Sequence, residues 1–145
     1  MISSEVAALL LDNDACGDLM IHGENVANVH CSNNLNHAFL VLSQVKYSVI
    51  PVLDSKSRIK GLISIPMIIK AITEIDAIRY DKMETLKVED VMNTHPALIQ
   101  SSNTVFDMLD YVNNLSFPVL FLPVTDEDGK LVGTVKFNNL IKGEL

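Results

Sequence analysis

Tyr47-Ser48-Val49-Ile50-Pro51-Val52-Leu53-Asp54 and, after a short gap, Arg58-Ile59-Lys60-Gly61-Leu62-Ile63-Ser64 carry the plainest structural signal in this chain. Each is an apolar run rich in Val and Ile, and a polar turn separates the two. Runs of this length, bounded by turn residues, read as buried strands joined in a hairpin. The pair also recurs. Pro51-Val52-Leu53-Asp54 matches Pro123-Val124-Thr125-Asp126, and Lys60-Gly61-Leu62-Ile63 matches Val132-Gly133-Thr134-Val135, at one constant offset.

The flanking elements repeat with the hairpins. Ahead of the first, Gly23-Glu24-Asn25 reads as a turn and Val26-Ala27-Asn28-Val29-His30 alternates like a strand. Asn33 or Asn34 can cap a helix by accepting a free amide hydrogen. Leu35, Ala38, Phe39, Leu42 and Val45 then follow the i, i+3, i+4, i+7 spacing of one buried helix face. After the hairpin, Pro66 suits the first turn of a helix, where its missing N–H costs nothing. Ile68, Ile69, Ile72 and Ile75 give that helix an apolar face.

Asp76 to Thr85 is the most charged stretch and reads as a connector, after which the pattern restarts. Val88-Glu89-Asp90-Val91-Met92 mirrors Gly17-Asp18-Leu19-Met20, and Pro96-Ala97-Leu98-Ile99 reads as a strand. Ser101, Ser102 or Asn103 is placed to cap a helix bearing Val105, Met108, Leu109 and Val112. Phe117 to Val124 is the second core strand, Asp126-Glu127-Asp128-Gly129 its turn, and Leu131 to Phe137 the return strand. Asn138 to Lys142 begins a last helix, while residues 4 to 11 and Ala15 to Met20 suggest two short leading elements. The chain is thus an internal duplication of a β-α-β-β-α unit. Two such units typically pack their sheets together, because neither alone covers both faces of its sheet.

Composition narrows the function. The chain has 145 residues, 48% of them hydrophobic and 20% charged, which is globular rather than disordered. Its formal net charge of -7 and lack of any Lys/Arg run argue against nucleic acid or an anionic membrane as a general partner. The N-terminus lacks the basic region of a signal peptide, and no apolar run is long enough to span a bilayer, which suggests a soluble cytoplasmic protein. Cys16 and Cys31 have no CxxC geometry and read as reduced small hydrophobes.

The order Asp-hydrophobic-Met, amphipathic helix, Ile-Pro-Val-x-Asp and Gly-hydrophobic-hydrophobic-Ser resembles the CBS domain. Its occurrence twice resembles a Bateman module. The resemblance implies an α+β fold with α/β-type layers: tandem CBS domains packed as an intramolecular pseudo-two-fold module. Residues 1–14 would form a helical lead-in, 15–72 CBS domain 1, 73–86 a linker and 87–145 CBS domain 2. Standalone two-domain chains of this length, with Val26-Ala27 and Tyr47 to Asp54 as they stand here, look most like the bacterial cyclic-di-AMP-binding type called CbpB or DarB. That likeness implies a regulatory homodimer that senses an adenine nucleotide and contacts a partner enzyme such as an alarmone synthetase.

In this resemblance the ligand lies in the cleft between the two halves. Asn25, Val26, Ala27, Tyr47, Ser48, Val49, Ile50 and Pro51 would line it from one side, and Lys136, Phe137, Asn138 and Asn139 from the other. Val26, Ala27, Val49 and Ile50 would form an apolar wall for adenine, the usual build of a small-molecule pocket. Tyr47 and Ser48 would add a stacking face and a hydroxyl. The same residues also suit a plain hairpin core.

Two departures from the adenosine-binding CBS pattern bear on the ligand. That pattern places an Asp three residues after a Ser/Thr, clamping both ribose hydroxyls. Here Met67 follows Ser64 at that distance, and Asn139 follows Lys136. A cyclic dinucleotide, whose 3′ oxygen is esterified, does not need the clamp, which tilts the reading toward cyclic di-AMP over AMP or ATP. An Arg expected near Phe137-Asn138 for the phosphodiester is replaced by Lys136, a point charge rather than a bidentate donor. A CBS module that binds a protein and no nucleotide stays open.

Catalysis and metal binding find little support. His22, His30, His37 and His95 show neither HxH nor HExxH spacing, so no metal ligand is assigned. Asp126 to Gly129 lacks the further ligand positions of a calcium loop. There is no GxSxG, Walker A or GxGxxG motif, and no catalytic residue or required cofactor is assigned.

Overall fold

The computed structural model describes residues 21–22, 26–45, 47–116, 119 and 121–136. The elements expected at 4–11, 15–20, 23–25 and 138–142 lie outside them. In chain order the described elements are β1 (Ile21–His22), β2 (Val29–His30), α1 (Leu35–Gln44), β3 (Val49–Leu53), β4 (Ile59–Ser64), α2 (Ile65–Ile72), α3 (Lys82–Thr85), β5 (Ile99–Gln100), α4 (Val105–Asn113), β6 (Phe121–Thr125) and β7 (Leu131–Lys136). A 3₁₀ turn spans Val88–Asp90. The chain divides into two compact units, Ala27–Pro96 and Ala97–Leu145 with Met1–Val26.

In the Ala27–Pro96 unit, α1 begins where Asn34 Oδ1 accepts the His37 N–H at 2.9 Å, while Asn33 Oδ1 accepts the His30 N–H at 2.8 Å. Leu35, Ala38 and Leu42 bury one face of α1. Val45 falls beyond the helix, at its extended C-cap. The sheet runs β2-β3-β4, with β3 parallel to β2 and antiparallel to β4. One core gathers Val29, Leu35, Leu42, Ile50, Val52, Ile63, Ile68, Ile72 and Val88.

Two sequence expectations need correcting here. The strand expected over Val26–His30 keeps only Val29 and His30, and a proline on another strand explains why. The Leu62 N–H and C=O both bond Asn93, at 3.1 and 2.9 Å, so they face away from β3. Pro51, opposite Leu62, therefore turns its nitrogen toward β2 with no hydrogen to offer. The ladder stops at Val29 opposite Val52. The apolar face expected of Ile68, Ile69, Ile72 and Ile75 is likewise narrower. Only Ile68 and Ile72, one turn apart, are buried; Ile69 is half-exposed, and Ile75 lies past the end of α2, fully in solvent.

In the other unit the sheet order is β1-β7-β6-β5. Ile99, Val105, Met108, Leu122, Val124 and Val135 form its core. The strand expected at Pro96–Ile99 is Ile99–Gln100; of that expected at Phe117–Val124, residues 117, 118 and 120 lie outside the described residues, and the strand described is Phe121–Thr125. The cap of α4 is none of the three residues expected. Thr104 Oγ1 accepts the Asp107 N–H at 3.1 Å and Asp107 returns the bond to the Thr104 N–H at 3.0 Å, a capping box. Asn103 is engaged elsewhere, accepting the Gln100 N–H at 2.9 Å, just as Asn33 serves His30.

The sequence pattern did not anticipate β1. It pairs antiparallel with β7, Ile21 opposite Thr134 and His22 opposite Gly133. The Ala27–Pro96 unit has the counterpart, an antiparallel bridge between Leu62 and Asn93. Under the repeat's offset Thr134 corresponds to Leu62 and Ile21 to Asn93. Each hairpin is thus edged by the segment that leads into the other repeat.

The hairpin turns match atom for atom. Asp54 Oδ1 accepts the N–H groups of Lys56 and Arg58, and Asp126 Oδ1 those of Asp128 and Lys130. Ser57 sits at φ 63° in the first turn, and Gly129 at φ 83° in the second.

Candidate functional site

The hairpin of the Ala27–Pro96 unit brings the start of β3, the end of β4 and the start of α2 to one edge. Val49 stands directly opposite Ser64. Ser64 is both the last residue of β4 and the N-cap of α2, its Oγ accepting the Met67 N–H at 3.3 Å. Pro66 in the first turn needs no partner for its nitrogen, and that turn carries no acidic side chain. The positive end of the helix is therefore not neutralised by its own residues.

Of the residues expected to line a ligand, Ala27, Tyr47, Ser48, Val49, Ile50 and Pro51 all belong to this unit. Tyr47 and Ser48 are exposed ahead of β3, and Val49 is half-buried. Ile50, 1% exposed, is committed to the core, with Pro51 also buried beside it. Ala27 is half-buried against the same core. Val26 is buried and falls in the other unit, as does the backbone of Lys136, which pairs with Phe121 just as Ser64 pairs with Val49. Asn25, Phe137, Asn138 and Asn139 lie outside the described residues.

Two hollows escaped the sequence reading. One, of about 500 Å³, opens beside the Ser64 cap and is lined by Met67, Lys70, Ala71, Asp90, Val91 and Asn93. The other, of about 520 Å³, runs between α1, α2 and α3 and is walled by Phe39, Ile68, Ile69, Ile78, Tyr80 and Met83. The signal was present: Ile78 and Tyr80 are large apolar residues inside the charged stretch at 76–85. Ion pairs on the surface of that stretch join Arg79 to Asp81 at 3.1 Å and to Glu74 at 3.6 Å, and Lys82 to Glu74 at 3.3 Å.

Nucleophilic and metal chemistry find no footing among the described residues. Partial burial, then the carboxylates of Glu89 and Asp54, push the Cys31 thiol above its usual range, away from the reactive thiolate. No group of three or more His, Cys, Asp or Glu is placed to hold a metal among the described residues. No described helix is long and apolar enough to cross a membrane.

An α+β chain whose two hairpin repeats share turn chemistry and lead-in exchange is a tandem-repeat module of one known kind. The CBS domain model matches residues 16–74 and 88–144, and the chain belongs to the CBS domain family, with two copies in tandem. It is 37% identical over 101 residues to cyclic di-AMP receptor B of Bacillus subtilis, a match covering 70% of this chain and 69% of that one. The solved structure of Listeria monocytogenes CbpB in complex with c-di-AMP is 39% identical, covering 88% of this chain and 92% of that one with a TM-score of 0.78. A hypothetical conserved protein from Geobacillus kaustophilus is 32% identical, covering 90% of this chain and 95% of that one with a TM-score of 0.81.

Proposed function

We propose that this chain is a non-catalytic regulatory receptor for an adenine nucleotide, cyclic di-AMP, held between its two CBS domains. In this reading domain 1 spans residues 15–72 and domain 2 residues 87–145, with 73–86 as linker. The protein works in the cytoplasm as a homodimer and controls a partner enzyme, such as an alarmone synthetase. The observation that carries the reading is the 37% identity to cyclic di-AMP receptor B over 101 residues.

The chemistry of the Ser64 edge supports it. Met67, half-buried where a ribose-clamping Asp would stand, offers a thioether and no acceptor strong enough for a free diol. A cyclic dinucleotide presents no such diol. Adenine would lie against Ala27 and Val49, with Asn25, Tyr47 and Ser48 at the rim, and Lys136 to Asn139 would complete the site from the other repeat. The nucleotide shifts the protein only through differential affinity for two conformations, and the partner reads the favoured one.

Calorimetric titration of the full chain with cyclic di-AMP, AMP and ATP at one fixed salt tests this. Micromolar or tighter binding of cyclic di-AMP alone is expected, weakened by Lys136→Ala and abolished by Ala27→Trp. Preferential binding of AMP or ATP would make the chain an energy-charge sensor instead. No heat with any nucleotide would leave a protein-interaction module, the reading that Met67 and Lys136 in place of Asp and Arg favour.

A further inference from the structure

We propose that Pro51 sets the base specificity of the nucleotide site: by withholding a ladder hydrogen it keeps the Ala27 carbonyl open to a 6-amino purine and hostile to a 6-oxo one. This deepens the functional reading and rests on it for the ligand. Its ground is the register of one parallel strand pair. Val29 lies opposite Val52 and His30 opposite Leu53, and the Leu53 C=O accepts the Cys31 N–H at 2.9 Å. Parallel ladder bonds are evenly spaced, so this register bonds Val29 on both sides, its C=O to the Leu53 N–H and its N–H to the Pro51 C=O. One step back, the donor due to the Ala27 C=O is the nitrogen of Pro51, which carries no hydrogen. Among the described residues no hydrogen bond reaches that carbonyl.

The other repeat has the same arrangement. The Ser101 N–H bonds the Thr125 C=O at 2.9 Å, Ile99 lies opposite Val124, and Pro123 takes the place of Pro51, its nitrogen due to Ala97. β5, like β2, is two residues long. Both hairpins thus set a proline against the one carbonyl whose bonding would lengthen the sheet.

A carbonyl only accepts, and a half-buried one without a partner is costly until a donor arrives. The side chain of Ala27 is a methyl, which lets a flat ring approach its backbone. Adenine carries two hydrogens on its 6-amino nitrogen, one of which suits this carbonyl. Hypoxanthine and guanine carry an oxygen there, and two acceptors repel. Selection made by the backbone is lost by giving residue 51 a hydrogen.

Calorimetric titration of the full chain with cyclic di-AMP and its inosine analogue, cyclic di-IMP, tests this, since the two share sugars and phosphates. The wild type is expected to bind cyclic di-AMP about 10-fold or more tighter. In Pro51→Ala the new N–H closes on Ala27: hydrogen exchange is expected to show a protected amide at residue 51, and the preference to disappear. Pro51→Val, nearer in bulk, serves if the alanine variant fails to fold. Pro123→Ala, the same change in the other repeat, is expected to keep the preference. A wild type that binds both ligands alike, equal weakening of both in the Pro51 variants, or a preference lost only in Pro123→Ala would overturn the role of Pro51 and leave the nucleotide reading standing. A wild type that binds neither ligand would overturn both.

Discussion

Gly61 lies against the backbone carbonyl of Asn93: a Cβ on it would stand 2.5 Å from that oxygen and 2.8 Å from Met92 Sδ. The thioether can swing aside, but the carbonyl is held, because Asn93 exchanges two backbone hydrogen bonds with Leu62. Gly61→Ala must therefore push the 92–93 segment off the sheet edge. A loss of about 1–3 kcal/mol is expected, the usual cost of overpacking a closed site. Urea denaturation would read it as a lower midpoint, and an unchanged midpoint would mean the segment gives way freely.

Ser57 and Gly129 occupy the same turn position at positive φ, one with a Cβ and one without. The left-handed conformation costs a non-glycine residue about 1 kcal/mol, partly offset by glycine's freedom in the unfolded chain. Ser57→Gly is expected to raise the melting temperature slightly. Gly129→Ala is expected to lower it, although a Cβ there meets nothing within 4 Å. Thermal scans with the two shifts in the same direction would refute the turn equivalence.

Acid stability should report Asp54. Partial burial raises its carboxyl, but the Arg58 and Lys56 N–H groups and the Arg58 guanidinium outweigh this and lower it to about 2. A group depressed on folding stabilises fully above its unfolded value and loses that contribution as pH falls through the folded one. Between about pH 4 and pH 2 the unfolded chain takes up a proton that the native Asp54 refuses, so stability falls on acidification. Melting temperature against pH should be flatter across this window in Asp54→Asn. The slope that remains belongs in part to Asp81 and Asp107, whose carboxyls are also lowered, chiefly by hydrogen bonds from Arg79 and Thr104. Superimposable profiles would remove Asp54 from the acid transition.

The two repeats start their helices with different side chains doing one job. Asn34→Ala and Thr104→Ala should each cost about 1 kcal/mol, the usual loss of an N-cap. Thr104→Ala should also weaken the acid dependence of Asp107, since the hydroxyl no longer helps orient that carboxylate. Chemical denaturation of each variant at neutral and acid pH separates the two effects.

Ligand choice should turn on position 67. Met67→Asp places a carboxylate three residues after Ser64, where a free ribose diol would be gripped. Its expected effect is to strengthen AMP binding and weaken that of cyclic di-AMP, whose phosphates the new charge repels. Competition titration reads the ratio directly; a ratio that does not move would put the diol elsewhere.

Much of this architecture was legible because it is local. The hairpins, the Asn34 cap and the Pro66 helix start each depend on residues within a turn of one another, and the duplication supplied a second reading. What escaped depends on distant partners. The shortening of β2 is dictated by Pro51, on another strand. The pairing of Ile21 with Thr134 joins opposite ends of the chain, and two-residue strands have no period to detect. Thr104 was passed over because Asn103, an equally good capper, precedes it and serves Gln100. On the candidate site, the sequence proposed Ile50 as ligand wall, where its burial ties it to the core; Val49, its half-buried neighbour, is the accessible one. The groove was hidden because Ile78 and Tyr80 sit among charges with no helical rhythm.

The exchange of lead-in segments also means that neither repeat can be cut out of the chain whole. A cut between residues 86 and 93 would take Asn93 from Leu62 and leave Thr134 without Ile21, so each half would keep its hairpin and lose the stretch that edges it.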